Sequence, residues 1–152
     1  GPLLMSGYLN KPEETAAVFD GDWLHTGDVA IRSDDVFLRI VDRKKDMIVS
    51  GGFNIYAREI EDVIVDQPGV RQAAVIGVPH PKWGEAVKAV VVLEPGATVT
   101  ADDIIEAVRN RKGAVQAPKS VDFVEALPRS PVGKVLKKDL RSRYWRDTAR
   151  KI

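Results

Sequence analysis

Four short segments carry the ionisable or conformationally special residues that chemistry would need. They are Thr26-Gly27-Asp28, Asp42-Arg43-Lys44-Lys45-Asp46, Ser50-Gly51-Gly52-Phe53-Asn54 and Pro128-Arg129-Ser130-Pro131-Val132-Gly133-Lys134. Between them they offer a carboxylate, a guanidinium, a primary amine and a backbone free to take positive φ. Each alone has an ordinary structural explanation: a capped turn, a solvated basic run, a tight turn and an exposed lysine. Other chemistries are excluded outright. The absence of Cys removes thiolate nucleophiles, disulfides and Cys-ligated metals, and two distant histidines, His25 and His80, make no zinc site.

The elements that must position these segments follow from pattern. Over 152 residues the chain is 44% hydrophobic and 30% charged, a globular composition with room for one real core plus an appendage. Asn10 with Glu13 reads as a capping box opening a helix over Pro12–Phe19. Val29–Arg32 and Val36–Val41 read as a hairpin, in a segment that buries little by itself and needs a partner surface. From Asp46 onward strands and helices alternate. Met47–Val49 is a short strand, Ala57–Gln67 a helix stopped by Pro68-Gly69, and Ala73–Val78 and Ala86–Leu93 are strands. The last of these is almost continuously apolar and therefore central. Thr100 and Asp103 cap a helix to about Arg111, Ser120–Val124 is a third strand of the sheet, and Leu136–Trp145 is the final helix. The expected fold is α/β (α+β): a small mixed sheet of about three strands plus a two-stranded hairpin, with helices packed on it.

The net charge of +1 is unevenly spread. From Lys134 to Ile152 eight basic residues face two acidic ones, which leaves the rest of the chain at −5. A solvated helix face explains such a tail, and the overall charge makes no case for nucleic acid. No apolar run approaches the ~20 residues of a membrane span. No signal peptide is visible, so a cytoplasmic location is expected. Gly1-Pro2, with no initiating Met, reads either as a scar left by tag removal or as the start of a piece of a longer chain.

In order and spacing the four segments resemble the C-terminal end of the AMP-forming acyl-CoA synthetases, in the superfamily that also holds luciferase and peptide-synthetase adenylation domains. The resemblance begins at Gly7-Tyr8-Leu9-Asn10-Lys11-Pro12-Glu13 and Trp23-Leu24-His25-Thr26-Gly27-Asp28. It is strongest from Asp42 to Tyr56 with Arg58-Glu59-Ile60-Glu61, and continues through Val78-Pro79-His80-Pro81, Trp83-Gly84-Glu85 and the Gly133-Lys134 loop. It departs at Ser130, Leu24 and Ala57, where Thr, an aromatic residue and Pro are common. Asp42 and Lys45 are variants familiar from other branches.

The resemblance implies a two-step reaction: a carboxylate attacks the α-phosphate of ATP, and coenzyme A then displaces AMP to give a thioester. It assigns Asp28 to the ribose hydroxyls and Arg43 to the nucleotide. Lys134 becomes the lysine that enters the adenylation site and counters charge on the transferred phosphorus centre. Lys45 becomes the hinge about which a small domain rotates between half-reactions, and Ser50, Gly51 and Gly52 the turn that then faces coenzyme A. On this reading residues 1–44 are a remnant of a large N-terminal domain and 45–152 the mobile domain. The missing triphosphate loop implies that ATP and Mg2+ are bound mainly by that absent domain of the same parent chain, that no metal is held here, and that the isolated chain lacks turnover. A small carboxylic acid is the implied substrate, and a lysine acyltransferase acting on Lys134 a possible regulatory partner. Glu59 and Glu61 lie two apart on a helix and form no catalytic pair. The competing reading is a stand-alone interaction or regulatory module that keeps the fold without the chemistry.

Overall fold

The computed structural model describes residues 1–145, and the chain divides after Lys45 into two compact units. The end of the basic tail, from Arg146 on, lies outside the described residues.

The first unit holds helix α1 (Pro12–Val18) and two antiparallel hairpins, β1 (Phe19–Asp20) with β2 (Trp23–Leu24), and β3 (Asp28–Arg32) with β4 (Leu38–Arg43). The expected capping box at Asn10 does not form. Lys11 is the N-cap residue, and Asn10, at φ 56, stands one position too early to reach the first helical amides. Thr15 ties the entry instead, its hydroxyl donating to Lys11 O and accepting from Tyr8 N–H. Among the described residues of this unit only Val41 and Asp42 are buried, while Trp23, Phe37, Leu38 and Ile40 are 66–80% exposed. The unit thus buries little by itself, as its sequence led one to expect.

The second unit is built on a five-stranded sheet formed by β5 (Ile48–Ser50), β6 (Phe53–Ile55), β7 (Val70–His80), β8 (Gly84–Leu93) and β9 (Ser120–Phe123). Its pairings are antiparallel except that of β8 with β9, which is parallel. The α/β class, the mixed sheet and the central place of β8 are as expected. The strand expected at Met47–Val49 forms as β5, and the sheet is wider than expected because β5 joins it together with β6, whose three residues carry too little pattern to be seen in isolation.

Both faces of the sheet are covered. On one lie α2 (Ala57–Val65) and α3 (Ala101–Lys112), with Ile60, Ile64, Ile104 and Val108 packed against Val75, Val87, Ala89 and Val91. On the other, Ala74, Ile76, Val90 and Val92 meet Leu127 and Leu140, the latter from α4 (Lys137–Ser142). Because successive strand residues point to opposite faces, β8 must be apolar throughout. Between Ala86 and Val92 the exception is Lys88, whose ammonium meets Asp122 at 2.7 Å and Ser120 at 3.1 Å and lies over the Tyr144 ring. Tyr144 in turn donates to Asp122. Burial raises the Asp122 carboxyl, but the hydrogen bonds from Lys88 and Tyr144 outweigh it and hold the group below its ordinary value.

The capping box of α3 forms as read: Asp103 N–H donates to the Thr100 hydroxyl and Thr100 N–H to the Asp103 carboxylate. Helix α2 ends at Val65, just short of the expected Gln67, and α4 ends at Ser142 rather than at Trp145. Past Ser142 the backbone tightens into a turn in which Tyr144 and Trp145 N–H both donate to Arg141 O, at 2.9 and 3.2 Å, and the two side chains are anchored on the sheet. Tyr144 reaches Asp122, and the buried Trp145 indole donates to Gly77 O at 3.1 Å.

Candidate functional site

Lys134 stands on a small hairpin between β9 and α4. A bridge pairs Arg129 with Val135, Ser130 N–H donates to Lys134 O at 2.8 Å, and Leu136 N–H donates to Pro128 O at 2.8 Å. At the tip, Gly133 N–H donates to Ser130 O at 2.8 Å, and Gly133 takes φ 81. Pro131 pre-sets the first central torsion and Gly133 supplies the left-handed one, which is why this sequence turns here. The Ser130 hydroxyl accepts from Lys134 N–H, the function a Thr in the same place would also serve. The side chain of Lys134 is exposed.

Ser50, Gly51 and Gly52 form the turn of the β5–β6 hairpin. Ser50 pairs with Phe53 across two central residues, both glycine and both at positive φ, 56 and 87. Such a two-residue loop matches the twist of the flanking strands only when both central positions are left-handed. Beside it Gly51 N–H donates to Trp83 O at 3.0 Å, and Trp83 stacks on His80 with centroids 4.2 Å apart. Glu85 accepts from Val49 N–H. A cavity of about 260 Å³ opens here, lined by Ser50, Gly51, Phe53, Trp83, Val115 and Lys119. The Lys119 ammonium lies 5.5 Å from the Trp83 ring centre and donates to Ala114 O. Sequence reasoning gave Trp83 a structural role and passed over Lys119 and Phe53; an exposed aromatic beside a Gly-Gly turn was the available signal.

These two elements sit at opposite ends of the long β7–β8 hairpin. The Gly-Gly turn adjoins Trp83, between His80 and Gly84, whereas Arg129 and Val135 share a groove with Arg71, Gln72 and Ala73 at the start of β7. The seven residue steps from Ala73 to His80, at about 3.3 Å each, place them roughly 20 Å apart.

In the first unit, Asp28 and Arg43 are brought together as cross-strand partners at the ends of β3 and β4. Arg43 Nε lies 3.4 Å from Asp28 Oδ1. Asp28 N–H is capped by the Thr26 hydroxyl, and Lys44 N–H donates to Gly27 O, which closes the turn. A cavity of about 450 Å³ is lined by Thr26, Gly27, Arg43, Lys44 and Lys45. Lys45 is exposed and is the last residue of its unit. Among the described residues no group of three or more His, Cys, Asp or Glu is placed to hold a metal, and no helix is long and apolar enough to cross a membrane.

Residues 59–134, half of the chain, match the family model for the AMP-binding enzyme C-terminal domain. The whole chain is 50% identical to part of the medium/long-chain-fatty-acid–CoA ligase FadD8 of Mycobacterium tuberculosis, covering 28% of that protein. It is 46% identical, over 95% of its length, to part of a feruloyl-CoA synthase of Amycolatopsis, covering 29% of it. Among solved structures, ATP-bound MatB from Rhodopseudomonas palustris superposes with a TM-score of 0.87 at 39% identity, over 99% of this chain and 30% of that one. The chain thus spans less than a third of the length of these relatives. With the sheet, the lysine hairpin and the Gly-Gly turn all in place, this chain belongs to the AMP-binding enzyme C-terminal domain family.

Proposed function

We propose that the chain is the C-terminal part of an AMP-forming carboxylate–CoA ligase, which joins a small carboxylic acid to coenzyme A through an acyl-adenylate. The observation that carries this reading is the separation of two candidate elements on one rigid sheet. A charged lysine hairpin and a glycine turn about 20 Å apart cannot both address one reaction centre without reorientation of the body that bears them. The division of the chain after Lys45 supports that residue as the hinge, since a change of backbone torsion at one exposed position suffices for a rotation.

In the first half-reaction Lys134 enters the adenylation site. Its ammonium neutralises the incoming carboxylate and the charge developing on the α-phosphorus centre, while pyrophosphate leaves. Asp28 accepts hydrogen bonds from the ribose hydroxyls and Arg43 lies along the nucleotide, on the unit that stays with the larger domain. In the second half-reaction Lys134 is withdrawn and the Ser50-Gly51-Gly52 turn faces the pantetheine arm of coenzyme A. There the thiol sulfur attacks the acyl carbonyl and AMP departs. The cavity beside that turn supports this role, with an apolar wall from Phe53 and Trp83 and a cation at Lys119 for a phosphate.

On this reading the metal of the reaction, with the triphosphate and the acyl group, falls to the remainder of the parent chain, which makes up more than two thirds of the length of the relatives. The exposed apolar face of the first unit supports that remainder as its partner. The need for ATP and coenzyme A as cosubstrates supports a cytoplasmic location. The exposed Lys134 amine also suits a lysine acyltransferase, since acylation would remove the charge the first step needs.

The test is Lys134→Ala in the full-length parent, with the half-reactions measured separately. ATP–pyrophosphate exchange falls by about 100-fold or more, as for loss of one strong transition-state contact, while thioester formation from preformed acyl-adenylate stays within about threefold. Equal losses in both would refute the divided role. Pyrophosphate exchange by the 152-residue chain alone would refute its dependence on the missing domain.

A further inference from the structure

We propose that the buried ion pair between Glu61 and Lys137 is a positioning device that aims the Lys134 hairpin, an assignment that rests on the adenylation role of Lys134. Glu61 lies in α2 at the fourth position after Ala57, within the stripe formed by Ala57, Ile60 and Ile64, so a charge occupies a place in the apolar face. Its Oε1 accepts from Val75 N–H of β7 at 2.7 Å and from the Lys137 ammonium at 2.7 Å. Both side chains are nearly buried, 11% and 14% exposed. Lys137 is the first residue of α4 and follows Lys134 by three positions. The pair therefore fixes the root of the hairpin to the central body at the point where the chain leaves its second arm.

Packing alone does not supply this. The root is otherwise held by Leu127, Val135 and Leu140, and aliphatic contacts are non-directional, so they hold a hairpin down without setting its angle. A buried ion pair is also a poor choice for stability, because desolvation offsets most of the attraction and an apolar pair of similar volume does as well. What it supplies is direction: a carboxylate pinned by a strand N–H defines one location for the ammonium. One helical turn further on, Arg141 meets Asp46 at 2.6 Å, again with both side chains 14% exposed. Helix α4 is thus held along one stripe at two points, one on α2 and one just before β5. A six-residue helix held at two charged points has little freedom to roll, and the hairpin that precedes it inherits that orientation.

The consequence is specific to one half-reaction, because only adenylation needs the Lys134 ammonium in place. The experiment uses the full-length parent protein with Glu61→Gln/Lys137→Met. This pair of changes keeps shape and the Val75 hydrogen bond but removes both charges. ATP–pyrophosphate exchange falls by about tenfold or more through misplacement of the amine, while thioester formation from preformed acyl-adenylate stays within about twofold. Lys137→Arg, which keeps the ion pair, retains exchange within about threefold of wild type. In the 152-residue chain the amide resonances of Ser130, Gly133 and Lys134 move in the double variant and stay near their wild-type positions in Lys137→Arg. Should the double variant fail to fold, Glu61→Gln alone carries the same expectation, with exchange down about tenfold and thioester formation within about twofold. Unchanged exchange, or equal loss in both half-reactions, overturns the positioning role. Full exchange by Lys134→Ala would instead overturn the role of Lys134 itself, so the two failures are told apart.

Discussion

Substituting Gly52 by Ala separates the structural reason for a glycine from a functional one. Gly52 takes φ 87, and a β-carbon built on it meets no atom within 4 Å. The protein therefore resists the change only through backbone torsion, not packing. A left-handed Ala costs about 1–2 kcal/mol, partly offset by the smaller conformational freedom of the unfolded chain, for a net loss near 1 kcal/mol. In a domain of this size that lowers Tm by about 3 °C. Gly96 provides the control: it has φ 79, equally open surroundings and a place in the loop after β8. Gly96→Ala carries the same torsional cost and lies outside the proposed site. The two variants should thus melt alike in the isolated chain. In the parent enzyme they should diverge. The new methyl group extends about 1.5 Å from the backbone toward the proposed path of the pantetheine arm, and a displacement of that order costs about 100-fold in rate. Thioester formation should fall accordingly in Gly52→Ala, with ATP–pyrophosphate exchange unaffected, and remain normal in Gly96→Ala. If thioester formation falls no further in Gly52→Ala than in Gly96→Ala, the turn does not face coenzyme A. If Gly52→Ala loses about 3 kcal/mol or more, the open geometry of the turn is itself wrong, because the torsion alone does not reach that value.

Two further outcomes test the core and the polar cluster behind it. Ile60 is completely buried where α2 meets the sheet, so Ile60→Ala should lower stability in urea by about 2–5 kcal/mol, and a loss below about 1 kcal/mol would contradict the packing. Burial first, and then the Asp122 carboxylate, push the Tyr144 phenol from 10.0 up to about 12. A proton held more tightly in the folded state gives stability that is complete below pH 10 and is lost as the pH rises through about 12. Asp122, held below its ordinary value, contributes in the opposite direction: its share is present at neutral pH and is lost as the pH falls through and below the usual carboxylate range. Ultraviolet titration should show one of the three tyrosines ionising late, and Tyr144→Phe should abolish both that phase and the alkaline loss of stability.

Local signals were legible wherever chemistry acts between near neighbours in sequence. The Thr100–Asp103 box and the apolar run of β8 each follow from contacts made within a few residues, and each stands as read. The same kind of signal misled at Asn10, where the motif was present but one residue out of register with the helix, a shift set by the left-handed torsion of Asn10 itself. It also overextended the final helix. The spacing of Leu136, Leu140 and Tyr144 is helical, yet after Ser142 the backbone closes in a tighter turn on Arg141 O, while the Tyr144 and Trp145 side chains are anchored on β9 and β7.

Sequence alone determined the family resemblance, the glycine requirement of two turns and the identity of the candidate lysine, because these depend on residue type and local order. Only the tertiary structure decided which distant groups share a place. It sets Glu61 of α2 against Lys137 of α4, and it puts Trp83, Phe53 and Lys119 around one cavity. It also separates the lysine hairpin from the glycine turn by the length of β7. Such relations are fixed by strand register and sheet order, and these arise from the cooperative burial of both faces of β8 rather than from any short stretch of chain.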